Sequence, residues 1–192
     1  MDPQAIFFYV SSGILMATLW LQLAWPAFLK RHASRIFLYT AGLTFAYLIY
    51  LGFLQYQAFS SGVLGYTIGT GEGLRWFFGY VRLHFFDQYL IAFVAAIVVA
   101  LLAAYFNRRF NERFFEREEL YLAALAMLLV GYPAFLFYIA LMLVVPTLVS
   151  VVFIRGGARL PLYHFWLPMA IVLHVAANYW LAAMPWWGQF RF

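Results

Sequence analysis

Long apolar stretches separated by short polar islands run along the whole chain. Most of them are close to or longer than the about 20 residues that a helix needs to cross the hydrocarbon core of a bilayer. The pattern predicts transmembrane helices near residues 5–29, 35–58, 80–106, 117–132, 133–154 and 161–184. We therefore expect an all-α integral membrane protein in which residues 1–192 form one domain, a compact bundle of six transmembrane helices.

The fourth and fifth stretches leave a second count open. Residues 120–154 are apolar throughout, and as one helix they would be about 52 Å long, too long for a bilayer without steep tilt. Gly131-Tyr132-Pro133 is typical of a turn that divides them, since glycine tolerates unusual torsions and proline starts a helix well. A divided stretch gives six transmembrane helices and an undivided one gives five.

The basic residues favour six helices. That count places nine of the 12 lysine and arginine residues on one side of the membrane, namely Lys30, Arg31, Arg35, Arg108, Arg109, Arg113, Arg117, Arg155 and Arg159. Cytoplasmic loops carry an excess of such residues. The pattern therefore predicts a protein of the cell inner membrane whose two termini both lie outside the cytoplasm. Trp186 and Trp187 would then anchor the last helix at the outer interface.

Composition supports this class and excludes several others. Of the 192 residues, 67% are hydrophobic and only 10% are charged, whereas about a quarter are charged in a soluble domain. Without cysteine the chain has no disulfide and no thiolate ligand, and its single lysine, Lys30, excludes a buried retinal Schiff base. The net charge of +5 comes from basic islands between apolar stretches, which indicates contact with a lipid bilayer rather than with nucleic acid.

Two polar segments separate the predicted helices. Residues 107–119 are expected to form a cytoplasmic amphipathic segment, because Phe106, Phe110 and Phe114 recur every fourth residue among charged ones. Its partner-docking residues would be Arg108, Arg109 and Arg113. Residues 59–79 are expected to form a glycine-rich loop on the outer side, without the lysine or the spacing of a phosphate-binding loop.

Four polar residues at helical spacing are the candidate site. His84 and Asp87 are three residues apart near the start of the third helix, and His174 and Asn178 are four apart in the last one. Ionisable residues inside a membrane are costly, which makes them a functional hypothesis. We expect His84 and His174 as cofactor ligands, and Asp87 and Asn178 on a substrate or proton path. The alternatives are an Arg82–Asp87 pair at the headgroups and a structural hydrogen bond from His174.

The histidines limit the cofactor to a single haem b or a pigment. A haem b needs two histidines at similar depth on facing helices, and only His84 and His174 satisfy this condition. The 22 phenylalanine, 14 tyrosine and seven tryptophan residues exceed what two interfacial belts require. Their rings could also contact neighbouring membrane proteins or flat ligands such as quinones.

Enzymatic signatures are absent from the sequence. The break at Gly131 and the entry to the last helix at Arg159 are similar in layout to the six-helix core of prepilin peptidases. That family uses two aspartates, whereas this chain offers only Glu118 or Glu119 and no acid at Trp25-Pro26. We therefore expect a non-enzymatic membrane subunit that packs within a larger membrane protein complex. The alternatives are a small transporter or channel, and an oxidoreductase subunit with one haem b or a quinone.

Overall fold

Every regular element among the described residues is helical. The computed structural model describes residues 3–62, 69–110, 115–153, 162–185 and 187. The α-helices are α1 (Pro3–Ala24), α2 (Pro26–Ser61), α3 (Gly71–Val81), α4 (Asp87–Arg109), α5 (Arg117–Val130), α6 (Ala134–Phe153) and α7 (Trp166–Tyr179). A π-helical segment (Arg82–Phe86) joins α3 to α4, and short 3₁₀ turns (Leu162–His164 and Leu181–Ala183) flank α7.

Five of the described helical stretches are long and apolar enough to cross a membrane. They comprise α1, α2, the run Gly71–Arg109, most of α6, and Leu162–Ala183. The stretch predicted at 117–132 behaves differently, because α5 has only 14 residues and is about 21 Å long. A helix of that length does not cover the hydrocarbon core by itself.

Helix α5 forms the centre of the core instead. Every residue from Leu122 to Val130 is buried, and α1, α2, α4, α6 and α7 all pack against it. A helix that is apolar on all sides is stable only where every side is covered. The interior position of α5 thus explains both its short length and its apolar sequence.

Helix boundaries follow local chemistry at three points. Pro26 has no N–H to donate to a preceding turn and starts α2, so Lys30 and Arg31 lie in the first turns of α2 rather than in a loop. Helix α5 ends at Gly131, whose φ of +74° and ψ of 171° are accessible almost only to glycine. The predicted loop at 59–79 is partly helical, because α2 extends to Ser61 and α3 begins at Gly71, while residues 63–68 lie outside the described part.

The bundle has two chemically different ends. At the basic end, α2 begins and α4 finishes, and Lys30, Arg31, Arg108 and Arg109 lie there. At the opposite end, Phe8 in α1 stacks on His174 in α7 with ring centroids 4.9 Å apart. We call this opposite end the cleft end, and the start of α1 and the end of α7 therefore meet at it.

Candidate ligand-binding cleft

A cleft of about 190 Å³ opens at the cleft end of the bundle. Helices α1, α2, α4 and α7, the π-helical segment and the turn after α5 all contribute to its walls. Its polar lining residues are His84, Gln88, His174 and Asn178, and its aromatic lining includes Phe7, Phe8, Tyr89, Tyr132 and Trp187. Aromatic walls with a few polar groups are typical of small-molecule sites.

The π-helical segment sets the position of His84. Segments of this kind are rare and occur frequently at functional sites, because the extra residue changes the direction of the side chains that follow. The Nδ1 atom of His84 lies 3.0 Å from the carbonyl oxygen of Tyr80, and the two rings stack with centroids 4.1 Å apart. Leu83, His84 and Phe85 line the cleft as a result.

His174 reaches the same cleft from α7. Its side chain is largely buried, with 8% of the residue exposed, and its ring stacks on Phe8. The Nε2 atom lies 3.5 Å from the carbonyl oxygen of Phe8. The stacking and the polar contact fix the plane of the imidazole in the wall of the cleft.

The two histidines have the same kind of backbone partner. A backbone carbonyl only accepts hydrogen bonds, so the nitrogen that faces it must carry the proton: Nδ1 in His84 and Nε2 in His174. In a neutral imidazole the other ring nitrogen then has a free lone pair and acts as an acceptor. Each histidine therefore keeps one acceptor nitrogen, and both residues line the cleft together with Gln88 and Asn178.

Three of the four predicted site residues share this cleft, and Asp87 does not line it. The Oδ2 atom of Asp87 lies 3.4 Å from Nε of Arg82, which corresponds to the headgroup ion pair considered as its alternative role. Asp87 follows the π-helical segment directly. Because the π-helical segment has a wider turn than an α-helix, the side chain of Asp87 points in a different direction from that of His84.

The sequence interpretation missed several residues of the cleft. Gln88 is one helical turn after His84, and its backbone carbonyl accepts a hydrogen bond from Tyr132 N–H at 3.3 Å. Trp187, expected as an interfacial anchor, is 1% exposed and lines the cleft, while Trp186 lies outside the described residues. The i, i+4 spacing of His84 and Gln88 is the signal that could have indicated the first of them.

The donor set and the size of the cleft limit which of the expected cofactors it can hold. Among the described residues, no group of three or more His, Cys, Asp or Glu side chains could hold a metal ion. Drug-sized ligands occupy pockets of about 300–1,000 Å³, and a tetrapyrrole is larger still, so a haem b does not fit the cleft as it is shaped. A single substituted ring is of suitable size.

A second polar cluster lies at the basic end, and the sequence interpretation missed it as well. Lys30 forms ion pairs with Glu116 and, at 2.8 Å, with Glu118. Gln22 donates a hydrogen bond from Nε2 to the carbonyl of Tyr163, and the ring centroid of Tyr163 lies 5.3 Å from Lys30 Nζ. This cluster joins α1, α2 and α5 to the turn before α7.

Glu119 is the buried member of that cluster. It is 3% exposed, and its Oε2 accepts a hydrogen bond of 3.1 Å from the backbone N–H of Glu116, as part of a capping box at the start of α5. Burial raises the pKa of Glu119 to about 7, whereas the hydrogen bond to Lys30 lowers the pKa of Glu116. The pKa values of Glu119 and Glu116 are thus shifted in opposite directions, although the two carboxyl groups lie close together.

The predicted docking arginines are only partly described. Arg108 and Arg109 are exposed in the last turn of α4, and Arg113 lies outside the described residues. Asn107, just before them, bonds the backbone of Phe115 through both ends of its amide, at 2.8 Å and 3.1 Å. Glu116, at the start of α5, pairs with Lys30 in α2.

The chain matches no protein-family model, no curated protein and no solved structure. Its function must therefore be inferred from its own residues.

Proposed function

We propose that the protein is a non-enzymatic, multi-pass membrane protein whose cleft binds the hydroxylated ring of a small amphipathic ligand of the quinol class. The observation that carries this proposal is that His84 and His174, each with one ring nitrogen next to a backbone carbonyl, line the same aromatic cleft. A ligand that satisfies the remaining acceptor nitrogen of each histidine must donate hydrogen bonds, as the hydroxyl groups of a quinol do.

The walls of the cleft support a flat ligand. Phe7 and Tyr89 lie in contact with ring centroids 4.3 Å apart, and Tyr132 and Trp187 complete the aromatic lining. Aromatic side chains bind flat rings by offset or edge-to-face packing. The side-chain amides of Gln88 and Asn178 add groups that both donate and accept, which suits ring substituents such as methoxy or carbonyl oxygens.

Binding of decylubiquinol to the purified protein in detergent tests the proposal, with quenching of tryptophan fluorescence as the readout because Trp187 lines the cleft. We expect saturable quenching by wild type. His84→Ala and His174→Ala should each weaken binding about fivefold, since a net hydrogen bond is worth about 1 kcal/mol and about 1.4 kcal/mol corresponds to tenfold in affinity.

His32→Ala is the matched control. Its Nδ1 lies 2.9 Å from the carbonyl of Phe28, and its ring stacks on Phe28 with centroids 4.3 Å apart, so it repeats the arrangement of His84 at the basic end. This variant should bind decylubiquinol as wild type does. Absence of saturable quenching, or equal weakening by all three substitutions, would contradict the proposal.

The orientation of the protein is part of the same proposal. The start of α1 and the end of α7 meet at the cleft end, which favours an even number of passes through the bundle. The basic end then faces the cytoplasm, and both termini lie outside it. Protease digestion of tags fused to each end, in sealed spheroplasts, should remove both tags; protection of either tag would contradict this orientation.

Membership of a larger membrane complex is the second candidate function, and one face of α4 favours it. Val94, Val98, Leu101, Leu102 and Tyr105 form an exposed apolar stripe at helical spacing, which ends at Arg108 and Arg109. A neighbouring membrane protein could cover this stripe. A photo-crosslinking residue at Leu101 should then give a discrete protein adduct in native membranes, and one at buried Ala96 should not; adducts with lipid alone would contradict it.

A further inference from the structure

A second concave surface lies on the other side of the π-helical segment. This groove has a volume of about 390 Å³ and runs between α2 and α3. Its walls include Ile49, Gly52, Phe53, Phe78 and Phe86, and Arg82 is the charged residue among its lining side chains. It shares no lining residue with the cleft, so an occupant of this groove and the proposed quinol would contact different residues.

Arg82 has hydrogen-bonding capacity beyond its ion pair. Its Nε contacts Asp87 at 3.4 Å, and 68% of its side chain is exposed. The two terminal nitrogens of a guanidinium carry four further N–H groups in a planar fork, which matches the oxygens of a phosphate group. The rim of the groove therefore offers a positive charge with phosphate-binding geometry next to an apolar surface.

The position of Arg82 along the helix places it at the level of lipid headgroups. The helical run from Arg82 to Arg109 is about 40 Å long, and the two headgroup layers of a bilayer span about 40–45 Å. If Arg108 and Arg109 lie in one headgroup layer, Arg82 lies in the other. Trp76 and Tyr80 of the preceding helix α3, whose rings stack 5.8 Å apart, are residues of the kind enriched at that interface.

Gly52 sets how closely the two walls of the groove approach each other. A Cβ atom at this position would lie 3.2 Å from Cγ1 of Val81, so the glycine allows α2 and α3 to approach closely. Ile49 and Phe53 flank it on the exposed side of α2, with 63% and 55% of each residue exposed. They form an apolar surface on which a hydrocarbon chain can lie.

We infer that this groove binds one anionic phospholipid, with the phosphate on the guanidinium of Arg82 and an acyl chain against Ile49, Phe53 and Phe86. Charge complementarity at the rim and the headgroup depth of Arg82 both favour a lipid over a protein segment. The lipid binds beside the π-helical segment and opposite His84.

Native mass spectrometry of protein released from nanodiscs tests this inference. The nanodiscs contain equal amounts of phosphatidylglycerol and phosphatidylcholine, and the readout is the lipid that stays bound. We expect wild type to retain phosphatidylglycerol preferentially. Arg82→Gln should reduce the retained phosphatidylglycerol at least threefold, and Ile49→Trp should reduce it by covering the path of the acyl chain.

Arg75→Gln is the matched control, because Arg75 is an exposed arginine of α3 that does not line the groove. It should retain lipid as wild type does. Asp87→Asn releases the guanidinium from its ion pair and should increase retention of phosphatidylglycerol, the opposite of the change expected for Arg82→Gln. Equal retention of the two lipids by wild type, or equal losses in Arg82→Gln and Arg75→Gln, would overturn the inference.

Discussion

Lys30 Nζ and Glu118 Oε1 lie 2.8 Å apart and join the first turns of α2 and α5. The side chain of Glu118 is only 13% exposed, whereas that of Lys30 is 44% exposed. Removal of the lysine therefore leaves a mostly buried carboxylate without its ion-pair partner, a more costly change than breaking a fully exposed pair.

Lys30→Met should lower the free energy of unfolding by about 1 kcal/mol, because the exposed half of the ion pair is screened by solvent. For a chain of this size the melting temperature should fall by about 2–4 °C. Thermal unfolding in detergent, followed by tryptophan fluorescence, measures the shift. Arg31→Met, which makes the same charge change on an exposed neighbour, should have less effect; equal shifts would show that Lys30 contributes only through net charge.

Glu119 should make stability depend on pH. Its pKa is about 7 in the folded protein against a usual 4.5, so the folded state binds more protons than the unfolded state between these values. The stabilisation that protonated Glu119 contributes to the folded state is fully present below pH 4.5, and it is lost as the pH rises through 7.

Glu119→Gln should flatten this part of the pH profile, since glutamine preserves the hydrogen bond to Glu116 but does not titrate. Melting temperatures of wild type and Glu119→Gln should be measured from pH 4.5 to 8, roughly the titration range. The two values should converge at the acid end and diverge at the basic end, where the variant is more stable. Glu72→Gln, an exposed carboxyl in α3, should keep the wild-type slope. A variant at Glu119 that also keeps that slope would contradict the prediction.

Gly131→Ala should destabilise the protein by about 1–3 kcal/mol, the cost of forcing a side chain into a backbone conformation that suits glycine. Its φ is +74°, and a Cβ there would also meet Gln88 Nε2 at 3.4 Å. Gly42→Ala is the control, because a Cβ at this helical position has nothing within 4 Å and alanine favours helix. Comparable melting temperatures for the two variants would disprove the assignment of strain to the turn.

Asn107→Ala should cost about 1–3 kcal/mol, because it leaves the backbone N–H and carbonyl of Phe115 without the amide that bonds them at 3.1 Å and 2.8 Å. Asn107→Asp keeps only the acceptor and should also destabilise. Gln57→Ala, which removes an exposed amide from α2, should leave the melting temperature nearly unchanged. The prediction would be wrong if Asn107→Ala behaved like this control.

The features that could be predicted from the sequence are those set by local pattern. The apolar stretches predicted an all-helical chain, and the described residues confirm helices long and apolar enough to cross a membrane. The turn at Gly131-Tyr132-Pro133 lies where the pattern placed it, because the torsions of glycine and proline act on their own segment. The pairing of Arg82 with Asp87 could also be predicted, since the two residues are close in the chain.

Part of the candidate site could also be anticipated. Helical spacing put His84 near the start of one helix and His174 near the end of another, and both line one cleft. Spacing could not exclude Asp87 from the cleft, because the exclusion depends on a π-helical segment whose extra residue has no signature in the apolar pattern. Gln88 and Trp187 were missed because an amide and an interfacial tryptophan look ordinary in sequence.

By itself, the sequence determined that the chain is helical and apolar enough to enter a membrane, because the length and polarity of a stretch are properties of neighbouring residues. Only the tertiary structure decided that α5 is an interior helix, that Lys30 pairs with Glu118, and that Phe8 meets His174. These facts depend on which surfaces of distant segments pack together. Several helices here have apolar residues on all sides, so their sequences leave that choice to the shape of the whole bundle.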